Sequence, residues 1–253
     1  MNQNNENNQI VIVTPIYTEA ITDIEKRRLE ISLKNNSNFK HIFVYPRSLP
    51  TDKYKIFFSE SHFLALDDIH FLSKNSYSEL LLNPDFYSNF KNYKYVLILQ
   101  LDAILLRNVS TLANFNFDYV GSAWKETPLA FNLGARIIMT SSHLPFVNQQ
   151  RIEVGNGGLS LRNVQSMLEL TRRIYNLRKK SRLLFGQQSL NEDFVISYFA
   201  KKFGLIIPTA SVANKIFLES YADYYSESSK IYGFHALNRY NPELEAKILG
   251  YKM

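Results

Sequence analysis

The chain has 253 residues, 45% hydrophobic and 21% charged, an ordinary globular balance with ample length for a full apolar core. It contains no cysteine, which excludes disulfides, zinc–thiolate centres and thiol nucleophiles and fits a cytosolic protein. A formal net charge of +6 brings phosphates, nucleic acid and anionic membrane surfaces into consideration, while no apolar run reaches the roughly 18 residues a membrane span needs.

In chain order, MNQNNENNQ (1–9) is polar and Asn-rich and lacks the basic and apolar regions of a signal peptide, so a disordered leader is expected. QIVIVTPIY (9–17) reads as a buried first strand ended by Thr-Pro. DIEKRRLEISLKNN (23–36) has helical spacing through Ile24, Leu29, Ile31 and Leu33. KHIFVYP (40–46) is a second strand and HFLAL (62–66) a weaker third. Residues 73–90 predict a helix or helix pair interrupted before Pro84. KYVLILQLDAILL (94–106) reads as the next strand, at the centre of the sheet, and YVGSAW (119–124) as a short one. The stretch to Gln149 carries few periodic signals and suits a hairpin or a mobile loop. After VGNGGLSLRN (154–163) comes a basic helix to about 182, then an amphipathic helix at 191–204, a short strand at 205–210 and a turn-rich segment at 232–243. Strands alternating with helices predict an α/β fold with a mostly parallel central sheet flanked by helices, as one Rossmann-like domain over 10–253. Ligands of such sheets bind at the carboxyl ends of the strands.

Four places could carry chemistry. Asp102 stands in an apolar run, and a charge withdrawn from water needs a partner. That partner is either a hard divalent cation, Mn²⁺ or Mg²⁺, or a basic side chain such as Arg107 or Lys94. Asn156-Gly157-Gly158 allows positive φ and close backbone approach to a ligand, or simply a tight hairpin turn. It is neither a dinucleotide fingerprint nor a P-loop. Glu192 and Asp193 open a helix, where the macrodipole favours them and Asn191 could cap; the functional alternative is a carboxylate general base. His235 lies in a turn among aromatics, and the remaining histidines (41, 62, 70 and 143) show no metal-ligand spacing.

Taken together in order, IVTPIY (12–17), YPRSL (45–49), the run 77–106 ending in QLDAILL, YVGSAW (119–124), VGNGGLSLRNV (154–164), NEDF (191–194) and YGFHA (232–236) resemble a GT-A-type glycosyltransferase of an uncharacterised bacterial and fungal group. The resemblance spans about residues 10–236 and implies a GT-A-like nucleotide-sugar-binding domain. It implies that Thr14, Pro15 and Tyr17 hold the nucleotide, and that Gln100 and Asp102 stand where a D-x-D motif would, Gln100 replacing the first acid. Asp102 and His235 would bind Mn²⁺ or Mg²⁺ on the donor diphosphate, and Trp124, Asn156, Gly157 and Gly158 would line the donor sugar or acceptor. Asp193, with Glu192 beside it, would face the acceptor hydroxyl. The implied activity is transfer of a sugar, from a UDP-sugar by family analogy, to a glycan or lipid-linked acceptor in cell-surface polysaccharide or lipopolysaccharide synthesis.

Two rivals come from other classes. Loss of the first acid at Gln100 would suit a binding domain without catalysis. The segment 162–182, with seven Lys/Arg against one Glu, would suit nucleic acid, but most aromatics lie in core-like patterns and the reading here is of no nucleic-acid partner. On the main reading that segment, through Arg172, Arg173, Arg178, Lys179, Lys180 and Arg182, gives a peripheral contact with the inner face of the membrane.

Overall fold

A computed structural model describes residues 9–133, 136–140, 143–146, 148–185, 191–222, 225–226 and 230–251, with the side chains of 131–140 and 178–185 excepted. The expected leader, but for Gln9, lies outside the described residues. Six strands form the main sheet: β1 (Ile10–Pro15), β2 (Lys40–Pro46), β3 (His62–Leu66), β4 (Tyr95–Leu99), β6 (Tyr119–Val120) and β10 (Leu159–Asn163), in the order β3-β2-β1-β4-β10-β6. The first four are parallel, and β10 runs antiparallel to both its neighbours, so the sheet is mixed with a parallel core. The order 3-2-1-4 is that of a Rossmann-like half-sheet.

Both faces of the central strands are apolar, which is why their sequences read as unbroken hydrophobic runs. Ile10, Ile12, Leu97 and Leu99 pack on one side with Leu29 of helix α1 (Asp23–Asn35). Val11, Val13, Val96 and Ile98 pack on the other, against Leu81, Phe86, Met167, Leu170 and Ile196. Those residues come from α3 (Lys74–Leu81), α4 (Pro84–Ser88), α5 (Val164–Phe185) and α6 (Glu192–Lys202). Helix α1 starts at a capping box in which Thr22 and Glu25 exchange side chain-to-backbone hydrogen bonds. The interruption foreseen at Pro84 is the α3–α4 break, with Pro84 at the first turn of α4 where its missing N–H costs nothing.

Two expectations are corrected. The run 94–106 is two strands rather than one: β4 ends at Leu99, residues 100–102 turn, and β5 (Ala103–Leu105) joins a second sheet of order β11-β12-β5 with β11 (Phe217–Leu218) and β12 (Gly233–His235). The turn is closed by the Ala103 N–H donating to the Gln100 carbonyl at 2.9 Å. Backbone polar groups of β5 are answered by α1: Ser32 accepts from the Leu105 N–H at 2.8 Å, and Asn35 donates to the Leu105 carbonyl at 3.2 Å. The apolar string alone conceals this break, because both strands are buried. Residues 205–209 form no strand; the Ile206 N–H is held by the Asp118 carboxylate at 2.7 Å, and Pro208 has no N–H for a ladder. The region of weak signal contains a small antiparallel sheet of β7 (Leu129–Leu133), β8 (Arg136–Thr140) and β9 (Gln150–Arg151). Among the described residues no helix is long and apolar enough to cross a membrane.

Candidate functional site

The strand order reverses between β1 and β4, and it is beyond the carboxyl ends of the strands at such a point that open α/β sheets bind ligands. Thr14 and Pro15 are the last residues of β1 and both are buried. The Thr14 hydroxyl is taken by His41 Nε2 at 2.9 Å, and His41 Nδ1 meets the Ser61 hydroxyl at 2.7 Å. Burial, then the charge of His62, lowers the His41 imidazole to about 3, so this relay is neutral. Tyr17 is different: its ring is 63% exposed. Burial raises its phenol above the ordinary value, and the charges of Asp102 and Glu25 add to the rise.

Asp102 sits in the turn after β4, with its side chain 30% exposed rather than sealed inside a strand. Neither Arg107 nor Lys94 is its partner; these donate to the Lys230 carbonyl and to the Ala113 carbonyl and Asn116 side chain. Its partners are His235, with Nε2 3.2 Å from Oδ1, and the exposed Arg239, 3.7 Å from Oδ2. Burial raises the Asp102 carboxyl, but contact with His235 and the charges of His235 and Arg239 outweigh it and hold it below its usual value. The turn is gripped from beneath by buried Arg28, which donates to the Leu101 carbonyl at 3.2 Å and pairs with Glu245 at 2.8 Å.

His235 ends β12 and is held on Nδ1 by Glu219 at 3.0 Å. Its Nε2 is buried and, although close to Asp102, makes no directed hydrogen bond. Burial lowers the imidazole, but Asp102 and Glu219 on either side raise it to about 9. Nε2 presses on the backbone of Gly158, where a Cβ would come within 2.0 Å of it.

The Asn156-Gly157-Gly158 strip leads into β10. Positive φ falls on Asn156 (63°), and the two glycines are required by close approach rather than by backbone conformation. Asn156 is buried and its Nδ2 has no hydrogen-bond partner. A Cβ on Gly157 would lie 2.0 Å from Glu192 Oε1. The Gly158 carbonyl accepts from the Gln100 N–H at 2.9 Å, tying the strip to the Asp102 turn. Trp124 packs against Gly155 and stacks on Phe194 at 6.2 Å, forming a half-buried wall of the strip.

Glu192 and Asp193 open α6 and serve different ends. Glu192 is buried; its Oε1 meets Arg162 at 3.1 Å and its Oε2 accepts from the Ser78 hydroxyl at 3.1 Å. Asp193 is half-buried, accepting the Gly157 N–H at 3.2 Å and the Phe194 N–H at 2.7 Å. Burial, then the neighbouring charge of Glu192, pushes the Asp193 carboxyl up to about 6. Asn191 is exposed and its side chain makes no cap bond. His235 Nε2 and Asp193 Oδ2 are joined through Gly158 and Gly157, so they stand no more than about 12 Å apart.

The structure thus brings together Gln100, Asp102, Asn156, Gly157, Gly158, Asp193 and His235, leaves Tyr17 exposed beyond β1, and places Thr14 and Glu192 in internal hydrogen-bond networks. Sequence reading missed Arg162, Arg28, Glu219 and Arg239. Arg162 was counted with the basic helix, yet it is fully buried on β10. The signal for it was present: Ser160 and Arg162 share one strand face, alternating with Leu159 and Leu161.

Residues 60–235 match the model of a family described as a protein of unknown function, DUF5672. That range includes every site residue named above except Thr14, Pro15 and Tyr17 at its amino-terminal side, and Arg28, His41, Arg239 and Glu245 among the supports. No curated protein matches the chain.

Proposed function

The chain belongs to the DUF5672 family, and we propose that it is a GT-A-type glycosyltransferase moving a sugar from a nucleotide-sugar, a UDP-sugar by resemblance, to a hydroxyl of a glycan or lipid-linked acceptor. One arrangement carries the reading. Two carboxylates, Asp102 and Asp193, stand at either end of a glycine strip at the carboxyl edge of the sheet, and the first faces a buried imidazole nitrogen without a directed partner.

Asp102 and His235 fit a divalent cation, Mn²⁺ or Mg²⁺. Nε2 lies 3.2 Å from Asp102 Oδ1, a cation seated between them would displace its proton, and Nδ1 is oriented by Glu219 as outer-shell carboxylates orient ligating histidines. Among the described residues no group of three or more such side chains forms a cage, so the other positions on such an ion would have to come from phosphate oxygens and water. When bound, that cation stabilises the negative charge growing on the diphosphate leaving group. The chain supplies the rest. Tyr17 borders the nucleotide, and Gly157 and Gly158 let Glu192 and His235 close against the backbone of the strip beside the donor sugar. Asp193 accepts the acceptor hydroxyl's proton, the role an inverting transfer needs. The residue that best supports the rival reading, a binding domain without turnover, is Gln100, half-buried where a second acid would stand.

The test is thermal stability with a panel of nucleotides and nucleotide-sugars, with and without Mn²⁺, on the native protein and on Asp102→Ala. A ligand that binds the folded state raises apparent stability by mass action. The expected result is a metal-dependent rise with one diphosphate nucleotide, lost in Asp102→Ala, together with release of nucleoside diphosphate on adding acceptor. A rise without release would favour the binding domain, and no rise with any nucleotide would overturn the donor site.

The acceptor would be met at the inner face of the membrane. Arg172 and Arg173 are exposed on α5, while Arg178, Lys179, Lys180 and Arg182 lie outside the residues whose side chains are described. Each such charge near an anionic surface contributes about 1 kcal/mol. Flotation with vesicles containing anionic lipid should carry the protein upward, and equal flotation with neutral vesicles would exclude this contact.

A further inference from the structure

Arg162 is an unusual residue to bury in the middle of a sheet. Its guanidinium is wholly enclosed, and each nitrogen is engaged: Nε donates to the Ser160 hydroxyl at 2.9 Å and one Nη to the Tyr87 hydroxyl at 3.0 Å. The other Nη donates to the Gly157 carbonyl at 3.3 Å and to Glu192 Oε1 at 3.1 Å. Glu192 Oε2 is held by Ser78 of α3. The same Gly157 whose carbonyl Arg162 grips gives its N–H to Asp193, and Glu192 Oε1 lies against its Cα. Two carboxylates therefore converge on one peptide, backed by one guanidinium.

We propose that the Arg162–Glu192 pair is an electrostatic clamp, acting through the Gly157 peptide, that governs when Asp193 holds a proton. Glu192 is on this account a positioning residue for Asp193 and not a second base. The proposal rests on the reading of Asp193 as the base. A carboxylate fixed beside another disfavours the second negative charge, whereas a guanidinium favours it. The charged and titratable groups around Asp193 are Glu192 on its own helix, Arg162 on β10 and the Tyr119 phenol on β6; Tyr77 and Tyr87 face Glu192 and Arg162 from α3 and α4. Tyr119 is kept neutral, since burial and then both carboxylates raise its phenol well above the ordinary range against the pull of Arg162. The balance at Asp193 is thus set by Glu192 against Arg162, and by the Gly157 and Phe194 N–H groups. Fixing both through Gly157 keeps that balance constant while substrate comes and goes.

The experiment is an NMR titration of ¹³Cγ-labelled aspartate, with Asp193→Asn assigning the resonance. It is run on the native protein and on Glu192→Gln, which keeps the shape and one acceptor oxygen for Arg162, gives the Ser78 hydroxyl an NH2 to accept from, and removes the charge. In the native protein Asp193 should titrate near 6; in Glu192→Gln its proton affinity should fall at least about tenfold. A merely structural role for Glu192 would leave that midpoint unmoved, and an unmoved midpoint in folded Glu192→Gln overturns the clamp. If Glu192→Gln does not fold, the native titration decides: a midpoint at the ordinary aspartate value of about 3.9 overturns it. The readout needs no turnover. A moved midpoint in a protein that transfers no sugar would leave the clamp standing and remove the transferase reading, and an unmoved one in an active enzyme would do the reverse.

Discussion

Asp193 takes two backbone N–H groups, from Gly157 and Phe194, yet its carboxyl is still pushed up to about 6, because burial and Glu192 outweigh those bonds. The sign of the consequence is fixed. In the unfolded chain the group ionises near its usual value of about 3.9, so between that pH and about 6 the folded state binds the extra proton. Stability from this residue is fully present below the lower value and is lost as pH rises through the upper one. Asp193→Asn should remove that slope in urea titrations across the window. In the proposed reaction the base must be unprotonated, so kcat/KM should rise with pH through about 6 and then level. The same substitution should lower kcat about 10²- to 10⁴-fold while leaving the metal-dependent thermal shift by donor in place. Loss of the shift as well would mean that Asp193 holds the donor and not the acceptor.

At the scale of elements, the strip before β10 joins the two carboxylates only because its backbone is bare. A methyl group on Gly158 would meet His235 Nε2 at 2.0 Å, and that ring cannot swing freely because Glu219 holds its far side. Gly158→Ala should therefore displace the imidazole. The protein is expected to fold, since the ring rather than the sheet gives way, but to lose the stabilisation by Mn²⁺ with nucleoside diphosphate. An unchanged Mn²⁺ response in Gly158→Ala would show that His235 takes no part in holding the cation. The helices contribute differently. α1 offers its apolar side to β1 and its polar side, through Ser32 and Asn35, to the backbone of β5. It thereby braces the short strand that follows the Asp102 turn.

At the scale of the whole molecule, each carboxylate of the site is backed by a buried arginine–glutamate pair: Arg162 with Glu192 behind Asp193, and Arg28 with Glu245 behind the Asp102 turn. The second pair closes the fold, because Glu245 lies on α9 (Pro242–Leu249), 217 residues along the chain from Arg28. Removing one member of a buried pair strands the other charge. Glu245→Ala is expected to cost about 3 kcal/mol or more, read as a lower urea midpoint with unchanged slope. A loss below about 0.5 kcal/mol would place that pair with surface pairs, which contribute little. The Asp102 turn should loosen in the same variant, weakening nucleotide binding even where the protein remains folded.

Much of this was legible in the residues themselves. Unbroken apolar runs and period-3.6 spacing located β1, β2, β3, β4, α1 and α6, because burying apolar surface is a local property of the string once a partner face exists. The resemblance paired Asp102 with His235 and set Gly157 and Gly158 beside the sugar; that Gly158 lies against His235 itself was not read from the sequence. Three things needed the tertiary structure. The break at residues 100–102 is silent because strands on both sides are buried and apolar alike. The division of labour between Glu192 and Asp193 depends on which one meets Arg162, a residue thirty positions away from the first. The partners of Asp102 come from the far end of the chain. Patterns of hydrophobicity decide which faces are buried, but the partner of a buried charge is chosen by packing between elements distant in sequence, and only the folded chain brings those charges within a few ångströms of one another.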